Sequence, residues 1–173
     1  VSVVIRTLNE ATYLDELLKK VTSQVKDDFD VEILIIDSGS TDGTLSIAES
    51  HGCKITFITK EQFTFGRSLN MGSDFAGGDI LVYVSGHCIP IENTWLIKLI
   101  KPIRDDVAGY TYGRQIGRDT TKYSEGKIFE KYFPLESKIP QNDFFCNNAN
   151  SAISRKVWSE YKFDEQVTGL EDM

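Results

Sequence analysis

The chain has 173 residues, 40% of them hydrophobic, and its 19 Lys and Arg against 26 Asp and Glu leave a formal net charge of −7. That length suits one domain with a substantial core, and the acidic balance argues against a nucleic-acid binder that relies on bulk charge. No apolar run is long enough to cross a bilayer, and three cysteines without a CxxC pair (Cys53, Cys88 and Cys146) point to a reducing compartment with neither a disulfide framework nor a zinc site.

Val1 to Ile5 is β-branched and apolar and reads as a first strand, running into Arg6-Thr7-Leu8-Asn9-Glu10. Leu14, Leu17, Leu18, Val21 and Val25 then recur at helical spacing, with Thr12 as the expected cap. Beyond the polar loop 26–30, Ile33-Leu34-Ile35-Ile36 has the continuous apolar character of a strand buried on both faces, as in a parallel sheet. It stops at Asp37-Ser38-Gly39-Ser40-Thr41-Asp42-Gly43-Thr44, where Thr41 or Asp42 is placed to cap a helix that ends near His51-Gly52. Lys54 to Thr59 reads as a third strand. This alternation implies a parallel α/β sheet with right-handed crossovers. Two buried strands ending in polar loops would line one crevice, where open α/β sheets take their ligands and where helix N-termini favour anions. Taken alone, the second loop also reads as an ordinary strand-to-helix turn.

Thr7-Leu8-Asn9-Glu10 after one strand, with Asp37 to Thr44 after the next, resembles the nucleotide-binding half of a family 2 glycosyltransferase of the GT-A fold. The resemblance implies an α/β domain, with a mainly parallel central sheet flanked by helices, over 1–173. Residues 1–90 would be its nucleotide-binding half and 91–173 its acceptor-binding half, incomplete at the C-terminus because relatives continue. It also implies inverting transfer of a sugar from a nucleotide-diphosphate sugar to a glycan or lipid-linked acceptor, in cell-surface polysaccharide synthesis. By the same resemblance Thr7, Asn9, Glu10, Asp37, Ser38 and Gly39 are expected at the nucleotide. No nucleic-acid partner is expected, and the expected location is cytoplasmic, with peripheral association at the inner face of the membrane. Many relatives have a second Asp where this chain has Ser38, so the identity of the base does not carry over.

The segment Phe63 to Gly72 includes Arg67 near an expected helix N-terminus. In relatives this segment lies beside the diphosphate, and Arg67 is the expected phosphate ligand; a surface Arg on an amphipathic helix is the competing reading. Asn70 and Gly72 are expected to let that helix pack closely on the sheet. After the Gly77-Gly78-Asp79 turn, Ile80 to Val84 is a fourth buried strand, ending in Ser85-Gly86-His87-Cys88-Ile89-Pro90. Here the resembled family usually carries Asp-x-Asp, whose carboxylates hold a divalent cation, Mn²⁺ or Mg²⁺, against the departing diphosphate. Ser85 and His87 stand in the two Asp positions. Three readings stay open: His87 as ligand of a softer ion such as Mn²⁺, His87 as a cation binding diphosphate directly, or a site without catalysis. Cys88 reads as a small buried hydrophobe.

Thr94 to Ile103 reads as an amphipathic helix that Pro102 helps to stop, and Val107 to Gln115 as a strand with Tyr-x-Tyr on one face, for stacking on sugars or for core packing. Lys122 to Phe133 reads as a helix and 134–143 as a polar candidate lid. Asn147 and Asn148, in a stretch with three Asn and a Ser, are the donor-sugar candidates, against the alternative that they satisfy loop backbone. A short helix opens at Arg155. The Glu171-Asp172 pair after Gly169 matches the family's catalytic signature, which assigns the acceptor base to Asp172 with Glu171 in support. The alternative to a transferase is a catalytically silent nucleotide- or carbohydrate-binding module on the same fold.

Overall fold

The computed structural model describes residues 1–167. In chain order it contains β1 (Ser2–Thr7), α1 (Ala11–Thr22), β2 (Glu32–Asp37), α2 (Thr44–Ser50), β3 (Lys54–Phe57), α3 (Phe65–Phe75), β4 (Ile80–Ser85), α4 (Trp95–Arg104), β5 (Tyr110–Tyr112), α5 (Tyr123–Tyr132), β6 (Asn150–Ser154) and α6 (Arg155–Glu160). The strands form one sheet in the order β3-β2-β1-β4-β6-β5. The first four run parallel, and β6 pairs antiparallel with both β4 and β5.

The strand period of two sorts the core into two layers. Val3 and Ile5 of β1 pack with Leu14, Leu17 and Leu18 of α1 and with Leu96 and Ile100 of α4. Val4, between them, faces the other way and packs with Leu69 of α3 and Trp158 of α6. Helices therefore cover both faces, which is why β1, β2 and β4 read as unbroken apolar runs. Gly72 brings α3 down onto the sheet: a Cβ there would lie 2.5 Å from Val4 Cγ1 and 3.1 Å from Ile36 Cγ1.

Three local expectations shift, the first being that α2 is capped by Gly43 and not by Thr41 or Asp42. α1 starts at Ala11, so Thr12 lies inside the helix rather than capping it. The Glu10 carbonyl accepts the Tyr13 and Leu14 amides, and the Ala11 amide is taken by Asp42 Oδ2 from the next loop at 3.1 Å. The strand expected over 107–115 narrows to β5, because the Val107 and Ala108 amides turn back to the Pro102 carbonyl. The aromatic face of β5 packs inward: Tyr112 meets Phe133 and Phe145 edge-on, and the Tyr110 hydroxyl donates to Asn148.

The chain leaves β1 toward β2 and β3, then returns to place β4 on the other side of β1. The C-terminal ends of β1 and β4 are thus the switch point of the sheet, where a crevice opens between diverging connections.

Candidate active site

Three loops meet at that switch point. The β1 loop brings Thr7, Asn9 and Glu10, the β2 loop brings Asp37 to Asp42, and the β4 loop brings Ser85, Gly86 and His87. The first two are laced together. Asn9 sits at φ 56°, a left-handed conformation that Asn tolerates better than most residues. From there its amide donates to Ser40 Oγ at 2.8 Å, and its Oδ1 accepts the Thr41 amide at 2.8 Å. Gly39, at φ 100°, makes the bend in the facing loop.

Asp37 is fully buried and organises this loop. Its Oδ1 accepts the amides of Gly39 (2.9 Å) and Ser40 (2.8 Å), and its Oδ2 accepts the hydroxyls of Thr7 (2.9 Å) and Ser40 (2.5 Å). Ser38, also buried, donates its amide and hydroxyl to the Thr7 carbonyl. Of the expected nucleotide residues, Thr7, Asp37 and Ser38 therefore shape the crevice from within. Asp42 does similar work at α2, where the Thr44 hydroxyl bonded to its carboxylate holds that group below the usual acid range.

The β4 loop closes against Glu10. His87 Nδ1 lies 2.9 Å from Glu10 Oε1, and a Cβ on Gly86 would lie 2.6 Å from Glu10 Cγ. The His87 carbonyl accepts Arg118 Nη2 at 2.8 Å, and the same guanidinium lies 4.0 Å over the Tyr13 ring. Arg6 stands on β1 with its guanidinium 5.0 Å over Phe65. Neither Arg118 nor Arg6 was expected at the site: Arg118 lies in a connection without periodicity, so nothing in the chain order ties it to His87. Burial raises the Cys88 thiol above its ordinary value, as suits a packing residue.

Asn147 and Asn148 lie beside this loop, where the Ala149 carbonyl accepts the Ser85 amide. Asn148 is 1% exposed, and its Oδ1 accepts the Tyr110 and Ser151 hydroxyls. Asn147 Oδ1 accepts Gln115 Nε2 and the Ala149 amide. Both carboxamide oxygens thus hold the wall of the crevice together.

Arg67 and Asn70 belong to a different device. Arg67 Nε donates to Glu165 at 3.0 Å and Nη1 to the Gln62 carbonyl at 2.8 Å, so the guanidinium expected at phosphate is engaged within the protein. Buried Asn70 donates to the Phe163 carbonyl and Glu165 Oε1, and accepts from Trp158 Nε1 and the Phe163 amide. Gly66 completes the fit, since a Cβ there would lie 2.1 Å from the Asp164 carbonyl oxygen. The 163–165 segment is docked on the start of α3, just ahead of Glu171 and Asp172. Those two lie outside the described residues.

No group of three or more His, Cys, Asp or Glu side chains able to hold a metal occurs among the described residues. The His87–Glu10 pair is the only part of the three crevice loops that brings an imidazole and a carboxylate together. With Nδ1 and Oε1 in contact with each other, the pair leaves one ring nitrogen as a metal donor, which by itself is no dedicated protein cage.

The model of the family described as Glycosyl transferase family 2 matches residues 2–162. Glycosyltransferase AglE of Haloferax volcanii is 34% identical over 107 residues, covering 60% of this chain and 35% of that protein. The chain spans between 22% and 35% of the length of the curated relatives it matches. Among solved structures, S. aureus TarS superposes with a TM-score of 0.78 at 19% identity, over 99% of this chain and 31% of that one. A mannosyltransferase from Pyrobaculum calidifontis, in complex with GDP-Man and Mn²⁺, superposes with a TM-score of 0.74 at 18% identity, over 99% of this chain and 49% of that one. These likenesses identify the fold as GT-A.

Proposed function

The chain belongs to glycosyl transferase family 2, and from that premise we propose that it carries the donor site of an inverting glycosyltransferase. The enzyme moves a sugar from a nucleotide-diphosphate sugar to a glycan or lipid-linked acceptor, in cell-surface polysaccharide synthesis. The observation that supports this most directly is the loop crevice at the switch point of the sheet, laced by Asn9, Ser40 and Asp37 and edged by His87. A crevice where polar loops meet at the switch point of an α/β sheet is where such folds take nucleotide ligands.

In this reading residues 1–90 hold the nucleotide and 91–173 meet the acceptor within one domain. Thr7, Asp37, Ser38 and Gly39 shape the nucleotide pocket, while Asn9 and Glu10 stand at its edge. Asn147 and Asn148 wall the sugar side. Asp172, with Glu171 in support, takes the proton from the acceptor hydroxyl as its oxygen attacks the anomeric carbon and the diphosphate leaves from the opposite face. A divalent cation held at His87 would supply charge neutralisation for that leaving group. The chain works at the cytoplasmic side and meets the membrane peripherally; no helix among the described residues is long and apolar enough to cross one.

The test is calorimetric titration of UDP, GDP, dTDP and CDP with and without Mn²⁺, followed by turnover of the matching nucleotide-sugars. At least one nucleotide is expected to bind, and Asp172→Asn is expected to abolish turnover while keeping that binding. Binding without turnover by the wild-type protein, a result suggested by the loss of both usual acids at Ser85 and His87, would make it a silent module. Binding of none would end the transferase reading and leave a carbohydrate-binding module as the alternative.

A further inference from the structure

Glu10 and His87 meet where β1 and β4 diverge, and their contact has a chemical consequence. A carboxylate oxygen accepts hydrogen bonds, so the 2.9 Å contact from Glu10 Oε1 to His87 Nδ1 favours the tautomer with its proton on Nδ1. In the neutral ring that leaves Nε2 with its lone pair. Metal-binding histidines are oriented in this way, by a carboxylate on the other ring nitrogen.

Both partners are held. The Glu10 amide donates to Thr44 Oγ1 at 2.8 Å and its carbonyl starts α1, so its backbone is tied to two helices. The His87 backbone is held by Arg118, and the Cys88 amide closes on the Ser85 carbonyl at 2.9 Å. Gly86 lets the loop lie against Glu10, because a Cβ would meet Cγ of that residue at 2.6 Å. The Glu10 side chain is 17% exposed and that of His87 57%, so the carboxylate is the inner member and the imidazole the outer one.

We propose that Glu10 is a positioning residue that fixes the His87 tautomer, so that Nε2 ligates a divalent transition-metal ion carried by the donor diphosphate, in preference to Mg²⁺. The proposal rests on the transferase reading of the site. The pair suits a cation better than a bare phosphate. With the ring neutral, Nε2 is an electron-pair donor that phosphate oxygens would avoid; with the ring charged, Glu10 offsets the charge. One imidazole from the protein leaves the remaining positions to diphosphate oxygens and water. Mg²⁺ prefers oxygen ligands throughout, whereas imidazole suits Mn²⁺ and later metals.

Inorganic pyrophosphate with Mn²⁺ or Mg²⁺ is the probe, because it needs no knowledge of the base. Binding is read by calorimetry and by the Mn²⁺ electron paramagnetic resonance signal, and the tautomer by ¹⁵N NMR of the imidazole. Wild-type protein is expected to hold His87 as the Nδ1–H tautomer and to bind Mn²⁺-pyrophosphate at least about tenfold more tightly than the Mg²⁺ form. Glu10→Gln is expected to weaken Mn²⁺-pyrophosphate by about 10- to 100-fold, and to weaken it no further in a His87→Ala background, since the loss runs through the imidazole. His87→Asp is expected to bring Mg²⁺ level with Mn²⁺. Four results overturn the proposal: an Nε2–H tautomer, equal effects of Glu10→Gln with and without His87, metal-free pyrophosphate binding that His87→Ala removes, or no metal-dependent binding. If nucleoside diphosphates still bind and sugar is still transferred in any of those cases, only the Glu10–His87 pairing falls. If neither occurs, the transferase reading falls with it.

Discussion

Removing the Asp37 carboxylate tests whether this residue braces the crevice or reads the nucleotide. Asp37→Ala deletes four accepted hydrogen bonds, two from the loop amides of Gly39 and Ser40 and two from the hydroxyls of Thr7 and Ser40. Hydrogen bonds to an ionised group contribute ~1.5–3 kcal/mol each when the partner is left buried and unpaired. The Gly39 and Ser40 amides lie near the surface, where water replaces much of the loss, whereas Thr7 is 3% exposed and its hydroxyl has no such substitute. The expected cost is therefore about 3–5 kcal/mol rather than the full sum. With a urea slope of ~2 kcal/mol/M the unfolding midpoint falls by ~1.5–2.5 M. Asp37→Asn keeps an oxygen for the two amides and turns an NH₂ toward two hydroxyls that can rotate to accept it, so a loss of ~1–2 kcal/mol is expected. An Ala variant within ~1 kcal/mol of wild type, with nucleotide binding lost, would refute the reasoning and make Asp37 a ligand contact instead.

Gly72→Ala should cost ~1–3 kcal/mol in urea unfolding, because its methyl meets two fully packed side chains, Val4 and Ile36; a neutral result would contradict the close helix-on-sheet approach. Gly66→Ala and Asn70→Ala should each speed amide hydrogen exchange over 161–167 while β1 and β2 stay protected, and unchanged exchange there would show that the 163–165 segment is held some other way. Glu32 gives a pH test. Burial pushes its carboxyl up, but the bonds from Lys54, Ser2 and the Gly77 amide outweigh that and bring it down to about 2. A depressed acid contributes fully above its unfolded value and loses that contribution as pH falls. Wild type should exceed Glu32→Gln by ~1–2 kcal/mol at neutral pH after allowance for solvent screening. The difference should fade from about pH 5 to about pH 2, and a gap that persists at pH 2 would exclude this origin.

Much of the architecture is written along the chain. Continuous apolar runs at Val3 to Ile5, Leu34 to Ile36 and Leu81 to Val84 need two covered faces, and the helical spacing of Leu14, Leu17, Leu18 and Val21 supplies one of the covers. The Thr7 to Glu10 and Asp37 to Thr44 loops follow from that alternation, because side-chain period and turn chemistry are local properties, whereas the order of the strands, with β6 antiparallel between β4 and β5, is set by tertiary packing. What each loop residue does is not local. Asp37, Asn148 and Arg67 carry groups equally suited to a ligand or to the protein, and their partners, Thr7, Tyr110 and Glu165, lie 30, 38 and 98 residues away. His87 shows the same division. Its place at the end of a buried strand is legible from the sequence, but the contact of its Nδ1 with Glu10, 77 residues earlier, is not. Only the side-by-side packing of β1 and β4 brings that carboxylate to the imidazole.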